Sequence, residues 1–151
     1  MTLELCITQR QVMKHLNLNE YISLKTLCRY SKDIYSMALY NVRQHYFNTN
    51  QYLSYNSNYH ILKDSQIYQL LGAKTAQNTM KQVENNFKSF FALLKKKQNG
   101  SYNKRVKIPK YLDKEGYYPL IFDKFSISKG YLHQESNPNR CSLLFLNKTT
   151  P

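Results

Sequence analysis

Four lysines, Lys74, Lys81, Lys88 and Lys95, recur at every seventh position. Seven residues is close to two helical turns, so on a helix their ammonium groups form one slowly drifting row. At ~1.5 Å of rise per residue that row is about 31 Å long. Point charges spaced in this way suit a phosphate backbone, and Gln77, Asn78, Gln82, Asn85 and Ser89 add amides and a hydroxyl beside them. The same positions on any packed helix are simply solvated, and lysine fills them readily. The row continues into a longer basic tract. Residues 85–112 hold eight lysines and arginines and no acid: Lys88, Lys95, Lys96, Lys97, Lys104, Arg105, Lys107 and Lys110. Clustered cations repel one another unless solvated or matched by counter-charge, and polyphosphate supplies that match while releasing its condensed counterions. Within the tract, Lys104-Arg-Val-Lys-Ile-Pro-Lys-Tyr alternates charge with apolar residues. Read as a strand, it buries Val106 and Ile108 and displays Arg105, Lys107 and Tyr111, a surface suited to single-stranded nucleic acid. A lysine-protected edge strand is the other reading of that alternation.

Bond-breaking chemistry has little to work with. The nine acids are Glu4, Glu20, Asp33, Asp64, Glu84, Asp113, Glu115, Asp123 and Glu135, and only Asp113 and Glu115 stand together. Two-metal nuclease chemistry needs several converging carboxylates. His15, His45, His60 and His133 show no ligand spacing, and neither a phosphate-binding glycine loop nor a nucleophile elbow occurs. No catalytic residue, metal site or cofactor is expected.

The elements that must position the basic tract follow from hydrophobic period. Leu3, Leu5 and Ile7 alternate with Thr2, Glu4 and Cys6, a short opening strand. From about Glu20, Leu24, Leu27, Cys28, Ser31, Tyr35, Ala38, Val42 and Tyr46 fall on one side of a long helix, started near Asn19 and ended by Asn48-Thr-Asn. Residues 56–72 read as one or two short helices, with Asp64-Ser65 as a cap and Gly72 as a stop. Ala73, Ala76, Met80, Val83, Phe87, Phe90 and Leu94 alternate steps of three and four, an a/d seam made to pack on other helices. After Gly100 the helical period ends. Val106-Lys-Ile-Pro, Tyr118-Pro-Leu-Ile-Phe, Phe125-Ser-Ile, Tyr131-Leu-His and residues 141–146 read as short strands.

The expected fold class is therefore α+β, with three or four helices inserted after the first strand of a small β-barrel. The boundaries fall at 1–18 for the first barrel strand and connector, 19–99 for the helical lobe, 100–133 for the remaining barrel strands and 134–151 for the tail. A net charge of +13 over 151 residues makes nucleic acid the leading partner. Cys6, Cys28 and Cys141 are odd in number and form no C-x-x-C pair, which fits a reducing cytoplasm rather than a disulfide framework. No apolar run approaches the ~20 residues that span a bilayer, and the first residues lack a signal-peptide pattern.

Three segments together resemble the TnpB (OrfB) family of transposon-encoded proteins. Residues 21–47, with SKDIYSMALYNVRQHYF, resemble its first helix. AKTAQNTMKQVENNFKSFFALLKKK resembles its later Q…F-x-x-F helix, and RVKIPKYLDKEGYYPLIF its segment entering strands. The similarity runs over residues 3–132. It implies a recognition lobe set into a wedge-type β-barrel, complete or not, that holds guide RNA and target DNA in an RNA-guided nuclease related to miniature type V CRISPR effectors. Members of the family continue into a RuvC-like nuclease with separated carboxylates and a zinc ribbon, and none of those residues stands here. The resemblance thus implies a truncated or frameshifted copy, or an excised piece, that binds nucleic acid without cutting it. A separate chain would supply the nuclease part. On this reading Lys74, Lys81, Lys88, Lys95, Lys96 and Lys97 bind nucleic acid from the helix, and Lys104, Arg105, Lys107, Lys110 and Tyr111 from the barrel, the cations by contact with phosphate. Two alternatives stay open. One is a helix-turn-helix-like regulator reading duplex DNA through Gln66 and Gln69. The other is a non-binding helical interaction remnant of a truncated transposase.

Overall fold

Asn17 starts the first helix. Its side-chain oxygen accepts the Glu20 backbone N–H at 2.8 Å, and the Glu20 carboxylate accepts the Asn17 N–H at 3.0 Å, a reciprocal capping box. In this computed structural model, which describes Val12, residues 14–122 and the backbone of three short strands beyond them, helix α1 runs Leu18–Thr49. It closes at Asn50 with φ 55°, in the left-handed region that asparagine tolerates. The start signal is thus Asn17 rather than Asn19, because only Asn17 stands three residues before a glutamate that can reach back.

Helices α2 (Tyr55–Leu62) and α3 (Gln66–Leu71) are capped by Ser54 and Ser65, each accepting a backbone N–H three residues on. Gly72 both ends α3 and begins α4 (Ala73–Gln98), and its φ of 91° is the conformation that lets two helices abut with no loop. Ser31 meets Thr79, Tyr35 meets Asn86, and Tyr46 meets Phe91, so α1 and α4 run parallel. The short pair α2–α3 carries the chain back between them.

The core lies where these helices meet. Ile34, Tyr35, Ala38, Leu39 and Val42 of α1 face Ala76, Met80, Val83 and Phe87 of α4, with Leu62, Tyr68 and Leu71 closing the side. The expected seam of α4 is present in its middle. Phe90 and Leu94 are half-buried, since α4 runs on past the end of α1 there, and Ala73 is exposed at the first residue of the helix. Tyr52, Phe87, Phe90 and Phe91 form a ring cluster with centroids 5.2–6.2 Å apart.

The β-barrel expectation is overturned. Residues 101–122, which should have supplied its strands, form an extended strap laid across the helices with no strand ladder. The inward alternation survives: Val106, Ile108, Leu112, Tyr118 and Leu120 turn inward while Arg105, Lys107 and Lys110 face out. What differs is the partner of the backbone. Arg43 donates to the Pro109 carbonyl at 3.0 Å, Lys32 to the Lys114 carbonyl at 3.0 Å, and Asn78 to the Ile121 carbonyl at 3.1 Å. The Ser31 hydroxyl donates to the Pro119 carbonyl at 2.9 Å, and the Tyr118 N–H donates to the Cys28 carbonyl at 3.2 Å. Arg29 pairs with Glu115 at 2.9 Å, and the Tyr35 and Tyr118 rings stack at 4.6 Å. Helix side chains satisfy the polar groups that a sheet would otherwise have paired.

Beyond the strap, β1 (Phe125–Ser128), β2 (Tyr131–Gln134) and β3 (Leu143–Leu144) form an open antiparallel meander in chain order. The opening strand expected at residues 2–8 lies outside the described residues. The architecture of the described part is a helical bundle with an extended strap, not a helical lobe set into a wedge-type barrel.

Candidate nucleic-acid interface

The lysine row is built by the period of α4. Thr75, Ala76, Thr79, Met80, Val83 and Phe87 bury one side of the helix. At ~3.6 residues per turn, Lys74 and Lys81 then fall on the opposite side, and Lys88 and Lys95 drift toward the flank. All four are exposed. Lys88 lies 3.3 Å from the Glu84 carboxylate one turn earlier. Among the described residues, no other cation of the row pairs with an acid. Lys95, Lys96 and Lys97 occupy the last turn, where they also offset the negative end of the helix dipole. The expected polar companions divide. Asn85 and Ser89 are exposed beside the row, whereas Asn78 is buried on the Ile121 carbonyl and Gln77 donates to the Tyr68 hydroxyl at 3.0 Å. Those two amides hold the fold together.

Lys104, Arg105, Lys107, Lys110 and Tyr111 are exposed on the strap rather than on a barrel face. The strap crosses α1 here, as the bond from Arg43 to Pro109 shows, so this second group does not continue the outer row of α4. The structure thus forms two cationic surfaces, with the Lys95–Lys97 end of α4 between them in the chain. Tyr111 is not isolated. The Arg43 guanidinium sits 4.9 Å from its ring centroid and 5.6 Å from that of Phe47.

Arg43, Tyr40 and Phe47 were not among the residues singled out in the sequence. Their signal was present: spaced three and four apart, they form a second stripe on α1, off its buried seam. Tyr40 and Phe47 are 54% and 60% exposed, large rings facing solvent. By contrast Tyr52 is a core ring. Burial, reinforced by the negative charge of Glu84, pushes its hydroxyl up to about 12. Burial likewise raises Tyr35, Tyr55, Tyr68 and Tyr118, and the Cys28 thiol.

The acids are dispersed or engaged. Glu115 holds Arg29, Asp33 holds Lys32 at 3.1 Å, and Glu84 holds Lys88. Among the described residues, no three His, Cys, Asp or Glu side chains gather where they could hold a metal ion. Nor is any described helix long and apolar enough to cross a membrane. Helix α3, the candidate reading helix of a helix-turn-helix, spans six residues and carries no cation. No known family model matches the chain, and no curated protein sequence matches it.

Proposed function

We propose that the chain binds nucleic acid through phosphate contacts from the outer lysine row of α4 and from the exposed cations of the strap. It does so without a catalytic site of its own. The observation that carries this reading is the exposure of all ten candidate cations together with, among the described residues, a single acid pairing, that of Lys88. Cations placed so are available to phosphate without first breaking internal contacts. In origin the chain is read as the amino-terminal part of a TnpB-like transposase, cytoplasmic, working on guide RNA or DNA beside a chain that holds the nuclease. That origin rests on the three resembling sequence segments alone. The wedge barrel forms no part of it.

Titrating the protein into labelled structured RNA and duplex DNA at several salt concentrations tests the proposal. The expected result is affinity that falls linearly on logarithmic axes, with several counterions released. Affinity indifferent to salt, or no binding at the lowest salt, removes it.

A further inference from the structure

The strap does more than lie on α1: it completes a groove. Tyr111 of the strap, Met37 and Tyr40 of α1, Ile61 of α2 and Ser65 before α3 line an open depression of about 500 Å³. Tyr40, Ile61 and Tyr111 are 54%, 58% and 45% exposed, so half of each apolar side chain faces water at one place. Its rim is cationic. Arg43 lies over one face of the Tyr111 ring while donating to Pro109, which leaves the other face for the groove, and Lys107 and Lys110 stand exposed on either side of that proline in the chain. Asp64, exposed beside Ser65, is the one acid next to the lining in the chain.

We propose that this groove takes unpaired bases of a single-stranded nucleic acid, whose phosphates lie along Lys107, Lys110 and Arg43. The inference rests on the nucleic-acid reading above and sharpens it from phosphate contact to base contact. Aromatic faces bordered by cations accept bases of any sequence, since every base has a π-face and every nucleotide a phosphate. A duplex fits poorly, because its bases are stacked on one another and present no free face to Tyr40 or Tyr111. A second copy of the chain is disfavoured by charge, since each copy brings +13 to the contact. The cationic rim disfavours a basic peptide in the same way.

The test uses fluorescence anisotropy on the full chain with three labelled probes of about ten nucleotides: an adenosine RNA oligomer, an abasic ribose-phosphate oligomer of equal length, and a matched RNA duplex. The adenosine oligomer should bind at least about fivefold more tightly than the abasic one. Tyr40→Leu and Tyr111→Leu should each weaken the adenosine oligomer by about five- to a hundredfold. Neither variant should change the salt dependence or the affinity for the abasic probe. A general loss of structure would move all probes together, and Tyr40→Leu, which leaves the strap contact of Arg43 with Tyr111 in place, guards against it. Equal affinity for adenosine and abasic oligomers overturns the proposal, as does unaltered adenosine binding in both variants. If lysine variants of α4 still lose binding in that case, the phosphate reading stands and only the base groove falls. If no probe binds the wild-type chain, both fall together. Light scattering that shows a dimer broken by Tyr40→Leu assigns the groove to a second copy and also overturns the proposal.

Discussion

Neutralising the outer face of α4 separates a phosphate-binding row from a merely solvated one. The perturbation is the triple change Lys74→Gln, Lys81→Gln and Lys95→Gln. All three side chains are exposed and none is ion-paired among the described residues. Glutamine has nearly the helix propensity of lysine, so the fold should hold within about 0.5 kcal/mol per site. Each lysine on a duplex phosphate releases ~0.9 counterion, so the slope of log K against log salt should fall by about 2.7. Over a fourfold rise in salt, the wild-type chain should then weaken about 40-fold more than the variant. Glu84→Gln provides the opposite sign. It frees Lys88 from its 3.3 Å partner at a helix cost of about 0.2–0.5 kcal/mol and should tighten binding. Anisotropy titrations at four or more salt concentrations read both effects. Parallel slopes for the triple variant and the wild-type chain would refute the assignment of this face to phosphate, whatever the absolute affinities.

Three further outcomes concern the scaffold that holds these surfaces. Ser31→Ala deletes a fully buried hydroxyl bonded to Thr79 and to the Pro119 carbonyl, so urea denaturation should show a loss of about 1–3 kcal/mol, with the strap loosened from α1. Phe87→Ala, at the centre of the ring cluster and fully buried, should cost about 3–5 kcal/mol, enough to unfold much of a marginally stable domain by circular dichroism. At alkaline pH the five tyrosines raised by burial set the direction. The unfolded chain ionises them near 10.0 while the folded chain keeps them protonated, Tyr52 up to about 12. Their contribution to stability is therefore complete below about pH 10 and lost as pH climbs toward 12, seen as a falling urea midpoint alongside rising tyrosinate absorbance.

Much of the helical part was legible in the residues. The steps of three and four in α4 and the seam of α1 fix which side of each helix is buried, and so place Lys74, Lys81, Lys88 and Lys95 in solvent before any partner is known. Ser65 and Gly72 announce their breaks because capping and left-handed backbone depend on local chemistry. The true start of α1 was harder to see: Asn17 and Asn19 are both good caps, and only the reach of Glu20 chooses between them. Tyr40, Arg43 and Phe47 keep a three-and-four spacing of their own, but it lies off the buried seam, and an arginine between two rings does not read as an apolar stripe.

What the sequence determined alone is the amphipathic character of its elements: a two-residue alternation in residues 105–108, a helical seam in α4, and a surplus of cations that must face water. Tertiary structure decided what each extended backbone bonds to. Alternation says which side chains turn inward, and it is equally satisfied by a neighbouring strand or by a helix surface. Here Arg43, Lys32, Ser31 and Asn78 reach the carbonyls of residues 109–121 first, and so a stretch that reads as barrel strands becomes a strap. Hydrogen-bond partners far apart in sequence carry no local signature. That is why the strap, and the groove it closes, exist only in three dimensions.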